Sequence, residues 1–476
     1  MAQSPPRVHG GDANKGWFPL LAGFFLGLAL LKLGNPVILD VSLMYPPLKG
    51  LGEIISEPWP VAWGYAMLAC LAVAGMFVAK RPDGVPQWVV WLPAVWLGWQ
   101  FLASAQTVDP KLTRLTLPHF AASVACFYLG LCCSAGDGLG LRRLRVGLFA
   151  GLVVVLSAGM HQHHGGFESN LRYFQENEKT GWTNATPAEL KQLELSRMLI
   201  RKPDGGLTVN PAMEHKLTSA RIFGTLVYPN AFAGIILMLL PMALVAMRDW
   251  TRRFGNVPHG VLVGLVAYVG LACLYWSGSK SGWLIAVALG AVALLRLPLV
   301  RALKVGLVVV LVVGGGAGLA VKYRDYFSRG ATSAAARLDY WSAAWGNATK
   351  HPVLGSGPGT FFAIYKEAKK PESEMARLAH NDYLQQASDS GWPGFLAYAG
   401  LVFGSLWLLM KRAARDDGTF AVWLGLVGWA LQGFVEFGLY IPASAWTAFL
   451  LLGCLCRESA ALDSTLRNPA ASLTRA

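Results

Sequence analysis

A histidine, His380, lies at the end of a polar stretch (residues 321–390) that separates two blocks of apolar sequence. At pH 7 a neutral imidazole can take a proton from an attacking hydroxyl. Asn381 and Asp382 follow it and could orient its ring or a sugar hydroxyl. A lone histidine is more often structural than catalytic, and that alternative stays open here. The position of His380 just before the Gly-Trp-Pro-Gly sequence of residues 391–394 favours a function.

Cationic side chains occur where polar loops meet apolar segments. Arg221 lies at such a boundary, and Tyr228-Pro229-Asn230 supplies a turn shortly after it. Its guanidinium can reach a site at the membrane interface, or it could simply extend toward water. Arg337 lies in the same polar stretch as His380. An arginine on the outer face is not what topology requires, which favours a function for Arg221.

Residues 277–282 read Ser-Gly-Ser-Lys-Ser-Gly and form a short turn between two apolar segments. Backbone amides of such small residues can hold anionic oxygens beside the ammonium of Lys280. The spacing is not that of a nucleotide-binding P-loop, which argues against ATP. The alternative is a tight turn with a solvated lysine.

Residues 161–166 read His-Gln-His-His-Gly-Gly, which invites interpretation as a metal site. Glu168 is the only nearby carboxylate, and no Asp or Cys has ligand spacing, so a hydrated loop at the membrane interface is favoured.

The seven cysteines all fall in or beside apolar segments and are expected to be buried thiols. The sequence therefore predicts no metal and no cofactor.

The composition is that of a membrane protein. The 476 residues are 54% hydrophobic and only 14% charged, whereas soluble domains are about 25% charged. Apolar runs of about 17 to 25 residues can cross a hydrocarbon layer of about 30 Å, and they must do so as helices to satisfy their backbone polar groups. The net charge of +14 is dispersed in short clusters, which favours membrane orientation over nucleic-acid binding.

We therefore predict an all-α polytopic protein with about twelve transmembrane helices. They are placed near residues 17–34, 60–79, 87–105, 115–135, 144–160, 223–247, 258–276, 283–300, 303–320, 391–410, 420–438 and 441–456. One set of connections is short and basic, and these belong in the cytoplasm with both termini. All long polar insertions then fall on the opposite face: 35–59, 106–114, 161–222, 277–282 and 321–390. The first apolar run lacks a cleavage site and is expected to be a retained helix.

This topology divides the chain into six parts. They are a five-helix membrane part (1–160), a loop with an interfacial helix (161–222), a four-helix membrane part (223–320), a catalytic segment (321–390), the C-terminal membrane helices (391–456) and a cytoplasmic tail (457–476). In the loop, an amphipathic helix is predicted for residues 187–200. In the catalytic segment, helices are predicted for residues 334–349 and 360–370, with a turn at 351–359 and a further helix beginning near Met375.

Carboxylates within the membrane segments are nearly missing, and Glu436 is the chief exception. An ion-driven transporter normally has several such groups. A small-anion transporter or channel, the alternative from another functional class, is disfavoured for this reason.

In their order along the chain, these motifs resemble the O-antigen ligase and polymerase superfamily of bacterial membrane glycosyltransferases. The matching pieces are Arg221-x-x-Gly224 with Pro229-Asn230, Ser279-Lys280, Arg337-x-x-x-Trp341, the sequence of residues 351–359, and Ala379-His380-Asn381-x-Tyr383-Leu384 with Gly391-x-Pro393-Gly394. The resemblance covers roughly residues 215–440.

The resemblance implies an inverting, metal-independent glycosyltransferase with a helical fold of the GT-C type. It would lie in the bacterial inner membrane with a periplasmic active site, and its donor would be a glycan on undecaprenyl diphosphate. His380 matches the catalytic histidine of the family. Arg221 and Lys280 would hold the diphosphate, with Arg337 as a further candidate. Asn230, Asn381 and Tyr383 belong to the matched motifs and are expected to support the site.

The acceptor separates the branches of this family. The expected acceptor is a sugar of lipid A core, as in a ligase, and the alternatives are a repeat-unit polymerase or a protein O-oligosaccharyltransferase. A large soluble C-terminal domain is missing, which disfavours a protein O-oligosaccharyltransferase.

Two positions depart from the family pattern: Lys280 replaces an arginine and Tyr228 replaces a common histidine. Lysine keeps the charge but loses bidentate contact with phosphate, which leaves the role of Lys280 open.

Overall fold

A computed structural model describes residues 16–39, 50–134, 139–195, 198–202, 205–328, 332–371 and 373–467, and this part of the chain is mostly helical. Its helices are α1 (Trp17–Lys32), α2 (Leu51–Ser56), α3 (Val61–Met76), α4 (Gln87–Ala103), α5 (Pro110–Cys133), α6 (Leu139–His161), α7 (Phe167–Lys179), α8 (Pro187–Leu195), α9 (Pro211–Thr218), α10 (Pro229–Thr251), α11 (Asn256–Trp276), α12 (Lys280–Arg296), α13 (Arg301–Lys322), α14 (Arg324–Ser328), α15 (Thr332–Lys350), α16 (Phe361–Ala368), α17 (Asp382–Ala399), α18 (Ser405–Ala413), α19 (Asp417–Gln432) and α20 (Pro442–Arg467). Strands β1 (Leu199–Arg201) and β2 (Leu207–Val209) form an antiparallel hairpin in which Leu199 lies opposite Val209.

All twelve apolar segments predicted from the sequence are helical in the structure. Within the described ranges, seven helical stretches, two of which contain a kink, are long and apolar enough to cross a membrane: Gln87–Gln106, Pro110–Cys133, Gly140–Lys179, Pro229–Phe254, Asn256–Trp276, Arg301–Lys322 and Asp382–Ala413. Helices α1 and α3 are apolar but shorter. No residue of α13 is buried, although its sequence is dominated by valine, leucine and glycine. Such apolar outer surfaces are stable in lipid, and the protein is an all-α, multi-pass membrane protein.

Close helix packing brings together the two elements that carry much of the candidate site. Helix α10 packs along α19, and the contact is closest at Gly425. A Cβ atom at Gly425 would lie only 1.9 Å from the backbone oxygen of Met238, so no larger residue fits there. Small residues at helix interfaces let backbones approach in this way in membrane proteins. The N-terminal end of α10 and the C-terminal end of α19 therefore lie side by side.

The basic connections lie at the other end of the same helices. Asp417, the first residue of α19, accepts hydrogen bonds from Arg248 near the end of α10 at 2.7 Å and from Arg296 at the end of α12 at 2.8 Å. Since α10, α11, α12 and α13 alternate in direction along the chain, the start of α12 and the end of α13 lie at the opposite end of the bundle, near the start of α10.

One local prediction is confirmed only in part, and another is wrong. The amphipathic helix predicted for residues 187–200 ends at Leu195, and Leu199 already belongs to β1. No helix begins near Met375, since residues 373–381 are not helical and α17 begins at Asp382, where the side chain of Asn381 caps it. The backbone of α17 leaves the helical conformation at Ser390 and Gly391, so a kink there separates the polar segment from the next apolar segment.

The Gly/Pro-rich turn of residues 351–359 fastens the polar segment to this kink. The backbone N–H of Ser356 donates to the oxygen of Ser388 (3.1 Å), and that of Gly357 donates to the oxygen of Asp389 (2.8 Å). The side chain of Asn347, in α15, also donates to the oxygen of Ser388 at 2.8 Å. Helix α15 is thereby held along α17, which places Arg337 beside the start of α17.

Candidate active site

His380 lies immediately before α17 and is held in an unusual backbone conformation. Its φ angle is +50°, a left-handed value that is uncommon for a residue other than glycine. The next residues hold this conformation through hydrogen bonds: Asp382 N donates to the oxygen of Gly433 at 2.7 Å, and Leu439 N donates to Asp382 Oδ2 at 3.0 Å. These bonds join the start of α17 to the turn after α19, which contains Glu436.

The imidazole of His380 contacts the carboxylate of Glu436. The distance from Nδ1 to Oε2 is 3.2 Å, and the Glu436 side chain is only 5% exposed. A carboxylate only accepts hydrogen bonds, so Nδ1 carries the hydrogen and Nε2 keeps a lone pair. The imidazole also packs against the rings of Tyr340 and Phe437. His380 is thus oriented as a base whose second nitrogen is available.

The other oxygen of Glu436 accepts hydrogen bonds from two predicted site residues. Arg337 Nη2 lies 2.5 Å from Oε1, and Asn230 Nδ2 lies 2.6 Å from it. Burial by itself would raise the pKa of Glu436, but attraction and a hydrogen bond from His380, together with Arg337 and Asn230, hold its pKa below the usual glutamate value. Glu436 therefore remains a carboxylate at neutral pH and bridges His380 to Arg337.

Arg221 is held by the turn between α11 and α12. Its Nε donates to the oxygen of Ser277 at 3.0 Å, and its Nη2 donates to Asn230 Oδ1 at 3.0 Å. Gly278 has a φ of +65°, and a Cβ atom there would lie 2.8 Å from Arg221 Nε. Only glycine satisfies both the backbone conformation and this close contact. The Ser-Gly-Ser-Lys turn therefore serves partly to position the guanidinium of Arg221.

Lys280 and Lys322 add two ammonium groups near this turn. Lys280 Nζ lies 3.9 Å from the ring centre of Tyr326 and 4.8 Å from that of Tyr323. Lys322 Nζ lies over the ring of Tyr275 and donates to its backbone oxygen. Neither lysine forms an ion pair with an acidic side chain of the described residues. Both ammonium groups keep hydrogen-bond donors for another partner.

Positive charge predominates in this region. Arg221 and Arg337 lie near the carboxylate of Glu436, and Lys280 and Lys322 lie close enough to Arg221 to be repelled by it. Burial lowers the pKa of Arg221, and Arg337 lowers it further, whereas attraction by Glu436 opposes the change. Arg337 Nε is buried and has no hydrogen-bond partner among the described residues. An anion with several oxygens would relieve the repulsion and satisfy these donors.

A cavity of about 390 Å³ opens beside His380. Its lining includes Tyr228, Tyr340 and Phe437 as aromatic walls, and Arg337 and Arg377 as cations. Burial raises the pKa of Tyr228, and mainly burial raises that of Tyr340 to about 12, so both phenols stay neutral. Aromatic walls with a few polar groups are typical of pockets for small molecules. Arg221, Lys280 and Lys322 do not line this cavity, so it is separate from most of the cation cluster.

Two predicted supporting residues stabilise the fold rather than line the cavity. Asn381 Oδ1 accepts a hydrogen bond from Leu384 N at 3.0 Å, as a helix N-cap does. Tyr383 is 3% exposed, and its hydroxyl donates to the backbone oxygen of Ala430 at 2.8 Å. Asn230, by contrast, contacts both Arg221 and Glu436 and lies within the candidate site.

Sequence analysis missed the central position of Glu436, although it noted this residue as a carboxylate among apolar segments. A buried carboxylate needs cationic or hydrogen-bonding partners, and this requirement is the feature of the sequence that could have identified Glu436 as a site residue. Two further carboxylates, Asp382 and Asp389, lie fully buried in the candidate membrane helix Asp382–Ala413, so Glu436 is less exceptional than predicted. Asp389 accepts hydrogen bonds from Tyr440 and Gly359, which gives it a structural role.

The histidine-rich sequence lies where α6 continues into α7. The side chain of Gln162 donates to the oxygen of Gly224 and accepts from the N–H groups of Phe223 and Gly224, and so holds the segment after Arg221. The ring of His163 stacks on Trp276 with 3.9 Å between centres. Among the described residues, no group of three His, Cys, Asp or Glu side chains is placed as a metal site requires.

Comparison with known proteins found one match, to part of the chain. No curated protein matches the chain. Residues 264–399 match the family model described as O-antigen ligase. The matched stretch includes Lys280, Arg337 and His380, whereas Arg221, Asn230 and Glu436 lie outside it. This part of the sequence is thus similar to the O-antigen ligase family.

Proposed function

We propose that the protein is an O-antigen ligase that transfers a glycan from undecaprenyl diphosphate to a sugar hydroxyl of lipid A core. The observation that carries this proposal is the pairing of His380 with Glu436 directly beside a cluster of cations. A base and a diphosphate site are the two requirements of such a transfer. The family match supports glycosyl transfer in general, and the choice of donor and acceptor is our inference.

In the proposed step, His380 Nε2 takes the proton of the acceptor hydroxyl while the oxygen attacks the anomeric carbon of the donor sugar. The bond between that carbon and the diphosphate oxygen breaks, and the electron pair leaves with the diphosphate. Glu436 stabilises the imidazolium that forms, and the proton then passes to solvent. Attack from the face opposite the leaving group inverts the anomeric centre. Transfer of this kind needs no nucleotide.

Arg221 and Lys280 are proposed to bind the diphosphate, because a dispersed negative charge develops there as the bond breaks. Arg337 is bound to Glu436, so its proposed contribution is positive charge close to the diphosphate. Lys322 is a further candidate, since its ammonium lies at the same end of the bundle. A diphosphate is already a good leaving group, which makes a protein acid unnecessary.

We further propose that the twelve apolar helices all cross the bacterial inner membrane in a fold of the GT-C type. Basic connections at one end of the bundle support cytoplasmic termini, and the opposite end, with His380, would then face the periplasm. The six-part division of the chain is also part of this proposal. Membrane lipids would surround the helices, and we propose no nucleic-acid partner.

The test is reconstitution of the purified protein with an undecaprenyl-diphosphate glycan and rough lipopolysaccharide, without metal or nucleotide. We expect glycosylated lipopolysaccharide with the wild type and a loss of roughly a hundredfold or more in the His380→Ala variant. His164→Ala is the matched control, because it removes an imidazole outside the site. Full activity of His380→Ala would overturn the assignment.

The same assay separates the family alternatives. Glycan chains that lengthen on undecaprenyl diphosphate, without lipopolysaccharide, would identify a polymerase. Transfer to serine or threonine of an added protein would identify an O-oligosaccharyltransferase. Monodisperse elution of each variant in detergent shows that a lost activity does not reflect unfolding.

A further inference from the structure

The cavity beside His380 contains a guanidinium that forms no ion pair with any described acidic side chain. Arg377 lines this cavity, and its guanidinium carbon lies 5.3 Å from the ring centre of Phe362. Among the described residues, no hydrogen bond or ion pair satisfies this guanidinium. A guanidinium has five N–H donors, so Arg377 offers several of them to a ligand.

The other guanidinium groups of the site already have protein partners. Arg337, which lines the same cavity, is bound to Glu436. Arg221 donates to Ser277 and Asn230 and does not line the cavity. Arg377 is therefore the arginine of this region that is available on the cavity side of His380.

The backbone holds Arg377 in a defined place. It lies three residues before His380, and its neighbours Ala376 and Leu378 are buried at 6% and 3% exposure. The Tyr365 hydroxyl fastens the preceding backbone by donating to the oxygen of Glu374 at 3.0 Å. A group bound to Arg377 is thus held close to the imidazole that takes the proton.

We propose that Arg377 binds an anionic substituent, a phosphate or a carboxylate, on the acceptor saccharide close to the attacking hydroxyl. This inference rests on the proposed function, and it assigns the donor to one side of His380 and the acceptor to the other. The donor diphosphate binds at Arg221 and Lys280, whereas the acceptor occupies the cavity with its own anion on Arg377. Glu374, at the exposed rim of the cavity, disfavours a second anion there and can accept hydrogen bonds from sugar hydroxyls.

The experiment compares three acceptors in the reconstituted system. They are rough lipopolysaccharide, the same material after removal of its phosphates with hydrogen fluoride, and the same material after carbodiimide-mediated reduction of its carboxyl groups. We measure kcat/KM for each acceptor at a fixed donor concentration. The wild type should use one of the two treated acceptors at least about tenfold less well, which also identifies the anion.

The Arg377→Ala variant should use the treated and untreated acceptors about equally, with an unchanged KM for the donor. Arg377→Lys should restore part of the preference, since a lysine keeps the charge but not the paired donors. Lys304→Ala is the control, because it removes a cation at the opposite end of the bundle, and it should keep the preference. The preference should disappear only when the charge at position 377 is removed.

Equal use of all three acceptors by the wild type would overturn the role of Arg377 while leaving the proposed transfer intact. Retention of the wild-type preference by Arg377→Ala would overturn it as well. Failure of the wild type to transfer glycan to any acceptor would instead contradict the proposed function, and this inference with it.

Discussion

The carboxylate of Glu436 lies 3.2 Å from Nδ1 of His380, although 56 residues separate the two in the chain. Asp382 connects the segments that carry them, because its backbone N–H and its carboxylate bond to both ends of the turn that contains Glu436. The orientation of the proposed base is therefore a property of the packing between α17 and α19.

Replacing Glu436 with Gln should lower the rate. The amide still accepts a hydrogen bond, but the negative charge that stabilises the imidazolium is lost. We expect kcat to fall by roughly a hundredfold. Steady-state kinetics measure this effect, and an unchanged kcat would contradict an electrostatic role of Glu436 beside His380.

The same carboxylate should make stability depend on acid pH. The pKa of Glu436 is lower in the folded protein than the usual glutamate value of about 4.3. Its contribution to the free energy of unfolding is thus present above that value and is lost as the pH falls through the folded-state pKa. The Tm difference between wild type and Glu436→Gln should be largest near pH 7 and shrink below about pH 4. A Tm difference that is constant from pH 7 to pH 3 would contradict a contribution of the Glu436 carboxylate to stability.

Gly278→Ala should weaken donor binding although it replaces no charged residue. The new Cβ atom would lie 2.8 Å from Arg221 Nε and force the guanidinium away from its hydrogen bonds. We expect KM for the donor to rise about tenfold, with a smaller change in acceptor KM. Gly181→Ala is the matched control, because Gly181 has a φ of +62° but an added Cβ meets no atom within 4 Å. Equal effects of the two substitutions would indicate backbone strain alone.

Lys280→Arg should retain activity, whereas Lys280→Ala should raise KM for the donor about tenfold. An arginine preserves the charge beside Tyr323 and Tyr326 and adds donors for phosphate. Steady-state kinetics with varied donor measure both effects. Lys304→Ala is a suitable control, because Lys304 lies at the opposite end of the bundle. An inactive Lys280→Arg enzyme would count against a diphosphate role for this position.

Tyr383→Phe should lower stability and leave catalysis nearly unchanged. The buried hydroxyl donates to the oxygen of Ala430, and its loss leaves that oxygen unpaired. We expect the free energy of unfolding to fall by about 1 kcal/mol and kcat to change less than about twofold. Thermal unfolding in detergent and steady-state kinetics provide the two measurements. A large fall in kcat with unchanged stability would indicate instead that Tyr383 has a role in catalysis.

Much of the helical architecture follows from the sequence. Each predicted apolar segment is a helix in the structure, because a run of about twenty apolar residues must satisfy its backbone groups internally. The predicted helix near Met375 failed because residues 373–381 lie in a long connection whose path depends on neighbours distant in sequence. Local propensity is a weak guide in such a segment.

The candidate site, like the fold, could be predicted from the sequence only in part. By itself, the sequence determined the helical membrane scaffold and drew attention to His380, Arg221 and Lys280, since charged or titratable groups at the ends of apolar segments need a reason to be there. Only the tertiary structure decided that Glu436 orients His380, and that Tyr383 turns into the core. The physical reason is that hydrogen bonds and ion pairs act over a few ångströms in space, whatever the separation of the residues along the chain.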